Sequence, residues 1–337
     1  MILVTGATGF LGRNLVPRLL AVGRPVRALV RPTSDSTFLE AAGVELALAD
    51  DITDADAVHQ ACEGVEVVIH AAGLFRMWGP FVDFWHTNVE GTATVLEAAS
   101  QAGVGRFLHI STIAVIGKTG RRQVVDESHP CAPQDPYQRT KLEGERLALA
   151  YHRNRGLPVV VLRPGALYGP WGRYAFNRLF FEEPLRGWRI RVNGGRYTTF
   201  PAYTPDVADA IVAALERGTP GEIYHLAGRP RTHNEINNIV SDLAGISRWR
   251  WNVPTPAVLL LARVWTALAR FTRREPFYPW NLAYYVFQDW PVCSEKARVE
   301  LGLRQTPFVE GARETLKWYR QLGIDGGARL PKENRDG

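Results

Sequence analysis

The chain has 337 residues, of which 46% are hydrophobic and 22% charged; these values are ordinary for a globular protein and exclude a disordered or fibrous chain. Cys62, Cys131 and Cys293 are widely spaced and odd in number, so we expect reduced thiols inside the cell rather than a disulfide framework or a zinc knuckle. The net charge of +6 fits a nucleic acid, a membrane surface, an anionic ligand or simply an arginine-rich surface.

The first two-thirds of the chain alternates short β-branched runs with helical stretches, which is typical of a parallel sheet with crossover helices. Strands are predicted at residues 2–5, 26–30, 45–49, 67–70, 106–110 and 159–163, and helices begin near residues 12, 54, 84 and 136. Runs such as Val67-Val68-Ile69 are apolar on both faces, so helices should cover both sides of the sheet. We therefore predict an α/β fold with a doubly wound parallel sheet.

The pattern changes after residue 163, where a stretch rich in Gly, Pro, Trp and Arg predicts irregular loops up to residue 204. A helix at 206–216 and a short strand at 222–226 follow, and the chain is mainly helical from residue 232 onward. We predict a first domain over residues 1–165, to which residues 205–228 return. A smaller, mainly helical domain is expected over residues 166–204 and 229–325, with a flexible tail at 326–337.

No apolar run reaches the ~20 residues that a membrane-spanning helix needs. The closest is residues 257–271, which contain Arg263 and Arg270. This run predicts a packed amphipathic helix, with a helix that contacts a membrane surface as the alternative. Because Met1 leads directly into an apolar strand, we predict no signal peptide and expect a cytoplasmic protein.

Three glycines, Gly6, Gly9 and Gly12, lie between the first predicted strand and the first predicted helix. Glycine at this spacing permits a tight turn and a close backbone approach to a pyrophosphate, and the helix N-terminus adds unpaired N–H groups. The position between strand and helix makes the motif specific for a dinucleotide. The turn is also expected to contribute cofactor contacts from Thr8, Phe10 and Leu11.

The end of the second predicted strand indicates which dinucleotide binds. An acidic residue there would bind the adenosine ribose of NAD, but the strand ends in Arg31 without a carboxylate. Arg31 and Ser34 are suited to a 2′-phosphate, so we predict NADP, with NAD less favoured; the alternative is a solvent-facing arginine. Further cofactor contacts are expected after the third and fourth strands, from Asp51, Ile52, Ala71, Ala72 and Gly73.

Tyr137 and Lys141 are spaced i and i+4 in a predicted helix and therefore share one face. A free tyrosine, with a pKa of ~10, is a poor acid or base near neutrality. A neighbouring ammonium group stabilises the phenolate and lowers that pKa. We predict that Tyr137 exchanges a proton with the substrate and that Lys141 assists it while holding the nicotinamide ribose. The spacing alone is a frequent accident.

Other polar residues support this pair. Ser111 and Thr112 follow the fifth predicted strand, at the carboxyl edge where such sheets bind ligands, and a hydroxyl there can donate to a substrate oxygen. Asn88, on the intervening helix, is suited to a water relay to Lys141. Each residue alone also has a structural explanation, as a strand-end polar residue or a helix-surface residue.

Together these motifs resemble an extended short-chain dehydrogenase/reductase of the NAD-dependent epimerase/dehydratase superfamily. The resemblance includes Arg163-Pro164-Gly165-Ala166-Leu167-Tyr168-Gly169-Pro170 and covers the chain to about residue 322. It implies a Rossmann-type fold, a homodimer, Tyr137 as acid/base and Lys141 as its partner. Counting back from Val115 and Gly117, it places Thr112 rather than Ser111 at the catalytic hydroxyl. It also implies cofactor contacts from Tyr137, Lys141, Pro164, Gly165 and Ala166.

Two activities compete within this family. One is a nucleotide-sugar or hopanoid-associated sugar epimerase or dehydratase with tightly bound NAD. The other is an oxidoreductase of alcohols and ketones, similar to 3β-hydroxysteroid dehydrogenases and dihydroflavonol reductases. Ala166 stands where nucleotide-sugar enzymes typically carry an asparagine, and Arg31 replaces their acidic ribose anchor. We therefore favour the oxidoreductase.

The loops after the fourth and sixth strands are aromatic, and large aromatic surfaces suit a steroid-, flavonoid- or terpenoid-like substrate. The predicted substrate pocket consists of Phe75, Trp78, Tyr168 and Trp171. These residues equally suit the core of the smaller domain. A non-catalytic nucleotide sensor is less favoured because both Tyr137 and Lys141 are present. No metal site is predicted, and no nucleic-acid partner, because the arginines are scattered.

Overall fold

The computed structural model describes residues 1–119, 124–272, 275, 276 and 278–326. The tail expected at 326–337 therefore lies, apart from Gly326, outside the described residues. The strands are β1 (Ile2–Thr5), β2 (Val26–Val30), β3 (Glu45–Leu48), β4 (Val67–His70), β5 (Arg106–Ile110), β6 (Val159–Pro164), β7 (Ala166–Tyr168), β8 (Ile190–Val192), β9 (Thr198–Thr199), β10 (Pro201–Tyr203), β11 (Ile223–Leu226), β12 (Arg231–Thr232) and β13 (Trp251–Val253).

The helices are α1 (Phe10–Ala21), α2 (Thr37–Ala41), α3 (Ala55–Cys62), α4 (Phe81–Trp85), α5 (Gly91–Gln101), α6 (Pro136–Arg155), α7 (Glu183–Leu185), α8 (Thr204–Arg217), α9 (His233–Ala244), α10 (Thr255–Thr272), α11 (Ala283–Val286), α12 (Glu295–Glu300) and α13 (Phe308–Gln321). A π-helical turn, His86–Glu90, joins α4 to α5. In the described part of the chain, no helix is long and apolar enough to cross a membrane.

A parallel sheet of seven strands forms the centre of the molecule, in the order β11-β6-β5-β4-β1-β2-β3. Ile2 and Val4 of β1 point into the core on one side of the sheet, which α1 and α8 cover. Leu3 points into the core on the other side, which α3, α5 and α6 cover. The predicted doubly wound, Rossmann-type sheet is thus confirmed, and its strand order reverses between β1 and β4, where such sheets bind ligands.

A second apolar core lies beyond the carboxyl ends of β6 and β11. It is rich in aromatic residues: Tyr168, Phe176, Phe180, Phe181, Phe308, Trp318 and Tyr319. The helices α9 and α13 pack against each other in this part. Residues 290–303, predicted to belong to the smaller domain, instead contribute Trp290 and Leu301 to the core around the main sheet. Trp290 is fully buried, with its ring centroid 4.5 Å from that of Phe200.

Candidate active site

The glycine-rich turn lies where β1 and β4 end side by side. Gly6 has φ +72°, and a Cβ on it would lie 2.8 Å from the backbone of Ala71 and Ala72. A Cβ on Gly12 would lie 2.2 Å from the carbonyl oxygen of Ala7, so α1 packs directly on the turn. Because each close approach is to backbone, larger residues would displace the turn. The structure thus places Gly6 against Ala71 and Ala72, and Gly12 against Ala7.

The N-terminus of α1 is suited to an anion. Gly9 precedes the helix, no side chain caps it, and its first turn contains no acidic residue. Its first N–H groups and the positive end of the helix dipole are therefore available to a phosphate. Phe10 and Leu11 of this turn line the cavity described below. The residues at this edge fit the pyrophosphate of a dinucleotide.

Buried hydrogen bonds hold the ends of β1 and β4 in place. The Ala72 N–H donates to Thr5 Oγ1 (3.0 Å), which leaves the Thr5 hydroxyl to donate to His70 Nδ1 (2.9 Å). Nε2 of His70 then donates to Thr92 Oγ1 (3.0 Å), whose hydroxyl donates to the Asn88 carbonyl (2.8 Å). Burial lowers the pKa of His70 to about 3, so its ring is neutral, and this tautomer satisfies every contact.

Neither Thr5 nor His70 is predicted from the sequence to position this edge. Both residues are polar and stand at the end of an apolar strand, and both are fully buried. A buried polar residue needs a hydrogen-bond partner. Polarity at paired strand ends is therefore the signal that could have identified them.

The residues that would bind the adenosine part of the cofactor follow β2 and β3. Arg31 is exposed, and its guanidinium makes no hydrogen bond or ion pair with any described residue. Asp35, the first carboxylate after β2, is paired with Arg13 at 3.0 Å. Asp51 accepts hydrogen bonds from the backbone and hydroxyl of Thr53 (2.9 and 2.7 Å). Ser34 donates its backbone N–H to the Arg31 carbonyl (2.9 Å), which forms the turn.

Lys141, the lysine predicted to assist Tyr137, is deeply buried. Lys141 is 4% exposed, and its ammonium donates to the carbonyl oxygen of Ile110 at 2.7 Å. Burial lowers its pKa to about 8, while the nearby Glu145 carboxylate opposes that shift. Near pH 7 the side chain is therefore largely a cation. A cation here can hold ribose hydroxyls and stabilise negative charge on a neighbouring oxygen.

Tyr137 lies one helical turn before Lys141 and forms a hydrogen bond with Thr112. Burial raises the pKa of Tyr137, and the bond to Thr112 opposes this shift. The direction differs from the one expected from the sequence, because desolvation outweighs any effect of the lysine, whose ammonium is directed to Ile110. The ring of Phe75 lies 4.7 Å from that of Tyr137.

Ser111 and Thr112 face different partners. The Ser111 hydroxyl donates to Glu145 Oε2 at 2.7 Å, and Glu145 forms a buried ion pair with Arg163. Thr112 Oγ1 accepts a hydrogen bond from the Ala114 N–H (3.2 Å) and contacts Tyr137. The geometry thus brings Thr112 rather than the Ser111 hydroxyl to the tyrosine.

Asn88 is buried and fully engaged in structural hydrogen bonds through its Nδ2. Its Nδ2 donates to the Leu74 carbonyl and to Thr140 Oγ1, both at 3.1 Å. Its Oδ1 accepts from the Leu74 N–H at 2.7 Å. Through these contacts Asn88 ties the loop after β4 to α6, and the water relay to Lys141 stays a prediction. Asn88 sits in the π-helical turn, a geometry that sequence periodicity does not reveal.

A cavity of about 380 Å³ opens next to these groups. Its cofactor side is formed by residues that include Phe10, Leu11, Ala71, Gly73, Ser111, Thr112, Tyr137, Lys141, Pro164, Gly165 and Ala166. Its other side is mainly apolar and includes Phe75, Met77, Phe176, Phe180, Leu282, Tyr285 and Val286. This volume and lining suit a small organic ligand. Met77, Phe176 and Tyr285 belong to the aromatic and apolar segments that the sequence places near the substrate, whereas Phe180, Leu282 and Val286 are not predicted as pocket residues.

Three predicted pocket residues take other positions. Tyr168 is 2% exposed and belongs to the aromatic core of the smaller part, where it packs against Phe308. Trp171 is about half exposed and contacts Trp318. Trp78 does not line the cavity, and Met77 takes that place, with its N–H donating to the Tyr174 hydroxyl (2.9 Å). Of the four, Phe75 alone lines the cavity described above.

Within the described ranges, no group of histidine, cysteine, aspartate and glutamate side chains could hold a metal ion.

The chain matches the NAD dependent epimerase/dehydratase family over residues 2–227 and belongs to that family. It is 34% identical to 4-hydroxy-2-methyl-3-oxo-4-farnesyl-3,4-dihydroquinoline-1-oxide ketoreductase of Stigmatella aurantiaca, over 97% of this chain and 98% of that protein. It is 32% identical to sterol demethylase protein B of Methylococcus capsulatus, over 96% and 99% respectively.

The fold is also similar to a crystal structure of a double mutant of the dTDP-glucose 4,6-dehydratase DesIV of Streptomyces venezuelae with NAD and DAU bound. The TM-score is 0.78 at 28% identity, over 95% of this chain and 97% of that one. The protein is therefore an enzyme of the extended short-chain dehydrogenase/reductase type. Such enzymes use a nicotinamide cofactor for oxidoreductase, epimerase or dehydratase chemistry.

Proposed function

We propose that this enzyme is an NADP(H)-dependent oxidoreductase that interconverts a secondary alcohol and a ketone on a bulky apolar substrate. The observation that carries the proposal is the cavity of about 380 Å³ beside Tyr137, whose apolar lining includes Phe75, Met77, Phe176 and Tyr285. Apolar walls stabilise a ring-containing or isoprenoid substrate through burial of its surface. A ketoreductase whose name includes a farnesyl group is among the relatives.

The cofactor, when bound, supplies the hydride donor or acceptor at its nicotinamide ring. Tyr137 moves the proton on the substrate oxygen, and Thr112 donates a hydrogen bond to the same oxygen. Lys141 binds the ribose hydroxyls and stabilises the phenolate through its positive charge. The hydrogen bonds of Asn88 hold the Leu74 backbone and thereby fix the loop that carries Phe75 against Tyr137.

The catalytic assignment is tested with Tyr137→Phe. The variant should lower turnover ~10²-fold or more, because it removes the general acid–base. Binding of the cofactor, followed by fluorescence titration, should persist because the phenol oxygen contributes little to it. Ketosteroids, flavonoids and nucleotide sugars are each tried with NADPH and NADH. Turnover of Tyr137→Phe equal to that of the wild type, on whichever compound reacts, would contradict the assignment.

NADP is the proposed cofactor because Arg31 lies at the end of β2 with an exposed guanidinium that no described carboxylate engages. Such a group can bind a 2′-phosphate through two hydrogen bonds. The solved relative holds NAD, which makes NAD the competing choice.

We expect Arg31→Asp to reverse the preference from NADP to NAD. The loss of charge-assisted hydrogen bonds should weaken NADP binding by roughly 10- to 100-fold. Arg24→Asp, at a surface arginine that pairs with Glu216, is the matched control and should leave the preference unchanged. Dissociation constants for both cofactors measure the effect, and an unaltered NADP/NAD ratio in Arg31→Asp would refute the role of Arg31.

The second candidate is a nucleotide-sugar epimerase or dehydratase with tightly bound NAD. It is favoured by the solved dehydratase relative and by Arg173, a cationic residue that lines the cavity and pairs with Glu182. An enzyme that recycles its cofactor retains it through purification. Mass spectrometry and near-ultraviolet absorbance of the purified protein separate the two: retained NAD favours this candidate, and an empty site that binds NADPH favours the oxidoreductase.

We also propose a homodimer through α4, α5 and α6. Its support is an apolar group on α4, where Phe81, Val82 and Trp85 are exposed. Large apolar side chains gathered on one helix are typical of a protein interface.

A further inference from the structure

The helix α10 exposes an apolar face to solvent. Leu261, Val264, Leu268 and Phe271 are exposed and follow the spacing i, i+3, i+7, i+10, so they share one side of the helix. The exposed fraction is 54% for Leu268 and 87% for Phe271. The buried residues of the helix are small or β-branched: Val258, Ala262 and Ala269. The helix therefore packs through a narrow strip and leaves its larger side chains in water, where apolar surface is unfavourable.

The segment that precedes α10 in the chain also carries exposed tryptophans. Trp249 and Trp251 are 60% and 66% exposed, and their ring centroids are 5.1 Å apart. Trp251, in β13, is paired with the exposed Ile190 of β8. Tryptophan prefers the boundary between an apolar phase and water, where its ring is buried and its N–H is solvated.

Arginines without carboxylate partners lie beside the tryptophans. Arg189, whose carbonyl accepts the Trp251 N–H at 2.9 Å, and Arg191 both repel Arg250. Burial, together with these two charges, lowers the pKa of Arg250 to about 10. In all three, Nε is buried and has no hydrogen-bond partner among the described residues. None forms an ion pair with a described carboxylate. Arg250 is buried, and its terminal nitrogens donate to Ser241, Arg248 and Asn237. The partly exposed Arg189 and Arg191 are therefore the members of the cluster that an external anion can reach.

The positive charge of the chain is concentrated in this region. Residues 244–274 contain six arginines and no lysine, aspartate or glutamate. The rest of the chain then has 34 basic and 34 acidic residues, so this segment alone accounts for the net charge of +6. The same stretch carries the exposed apolar face. An apolar helix face with basic flanks complements an anionic bilayer.

The helix also adjoins the wall of the active-site cavity. The Trp280 N–H donates to Thr266 Oγ1 of α10 at 3.1 Å, and the Arg263 guanidinium lies 4.7 Å from the centre of the Trp280 ring. Trp280 begins the short segment that supplies Leu282 and Tyr285 to the cavity. At about 100° per residue, Thr266 lies on the side of α10 that carries Ala262 and Ala269, opposite the exposed apolar face, so α10 packs on the segment that walls the substrate site while its apolar face points away from it.

We propose that α10, together with Trp249 and Trp251, docks the enzyme on anionic lipid bilayers, with the helix lying in the plane of the membrane. The apolar face enters the acyl boundary, the tryptophans sit at the interface, and the partly exposed Arg189 and Arg191 bind lipid phosphates. The docking itself does not depend on the catalytic assignment. Only its use, access of an apolar substrate to the cavity from the membrane, rests on the proposed function.

The test is co-sedimentation of the full-length protein with vesicles. The protein should pellet with vesicles of phosphatidylcholine and phosphatidylglycerol and stay in solution with phosphatidylcholine alone, and added salt should weaken the binding. Brominated lipids should quench its tryptophan fluorescence. A wild-type protein that remains in solution with anionic vesicles would overturn the proposal, whatever its catalytic activity.

The variant Leu261→Asp/Leu268→Asp should weaken binding about tenfold or more, because it places charge in the apolar face. The matched control, Val22→Asp/Val299→Asp, changes two exposed apolar residues elsewhere and should bind as the wild type. Both variants should unfold in urea at the wild-type midpoint, which shows that they are folded. Unchanged vesicle binding of the α10 variant refutes the proposal. The proposal is also refuted if the wild-type protein is a dimer and the α10 variant is a monomer. The apolar face of α10 would then be the contact surface between two copies of the chain.

Discussion

At the scale of single residues, two adjacent hydroxyls at the end of β5 have separate tasks. Ser111 donates to Glu145, which together with Arg163 forms an ion pair in which both side chains are 3% exposed. A buried pair of this kind needs its remaining lone pairs satisfied, and Ser111 satisfies one of them. Thr112 instead contacts Tyr137. The first hydroxyl is therefore expected to serve stability and the second to serve turnover.

We expect Thr112→Val to lower kcat ~10²-fold, because valine keeps the shape of threonine but cannot donate a hydrogen bond to the substrate oxygen. Ser111→Ala, the matched control, should leave kcat close to the wild-type value. It should lower the free energy of unfolding by about 1–3 kcal/mol, because a buried carboxylate oxygen loses its donor. Steady-state kinetics and urea unfolding of both variants measure the two effects. The reverse pattern, with kcat lost in Ser111→Ala alone, would exchange the two roles.

The residues that the sequence predicts well are those whose position depends on local geometry. The i, i+4 spacing of Tyr137 and Lys141 and the strand-end position of Thr112 are such cases. The cavity wall is different, because Tyr168 and Trp171 lie in irregular backbone after β6, where no periodicity fixes the direction of a side chain. Tyr285 reaches the cavity from a distant part of the chain. Its position beside Asp135 depends on tertiary packing that a single sequence does not specify.

At the scale of elements, the glycine-rich turn and α1 form one unit. The Gly9 N–H donates to the Gly6 carbonyl at 3.0 Å, and Gly12 allows the helix to contact Ala7. The same contact directs the helix N-terminus toward the edge where β1 and β4 end. Glycine at position 12 is thus a packing requirement, and a side chain there would move both the helix and the proposed phosphate site.

Gly12→Ala should lower the free energy of unfolding by about 1–3 kcal/mol through overpacking, and it should weaken cofactor binding as well. The matched control is Gly105→Ala, where the new Cβ would lie 3.5 Å from the Glu66 carbonyl oxygen, an ordinary contact. This control should unfold and bind cofactor as the wild type. Thermal unfolding and cofactor titration report both quantities. Wild-type cofactor affinity in Gly12→Ala would show that the turn does not position the site.

The strands of the main sheet can be predicted from the sequence, because runs of apolar β-branched residues are typical of strands that helices cover on both faces. The structure ends β3 at Leu48 and begins β11 at Ile223, each one residue from the expected bound. The smaller part is less predictable. Short strands such as β9 and β12 depend on pairing with each other, and Trp290 packs on the main sheet only because the chain returns there.

At the scale of the whole molecule, the buried Lys141 makes global stability depend on pH. Its pKa is lowered from 10.5 to about 8 by burial. Between these values the unfolded chain binds a proton at this side chain that the folded protein does not bind. Stability therefore rises with pH across this window and is lower at pH values below 8, where the folded protein holds a buried cation. The proposed chemistry needs that cation, so function and stability have opposite requirements at this position.

Lys141→Met should abolish this dependence. From pH 8 to about 10.5, the free energy of unfolding of the wild type should rise relative to that of the variant, by up to about 3 kcal/mol for the shift in pKa. Subtracting the variant isolates Lys141 from other groups that titrate in the same range. Lys317→Met, at an exposed lysine of α13, is the control and should run parallel to the wild type. Urea unfolding at a series of pH values provides the curves. A constant difference between wild type and Lys141→Met across the window would mean that the lysine is not held as a destabilised cation.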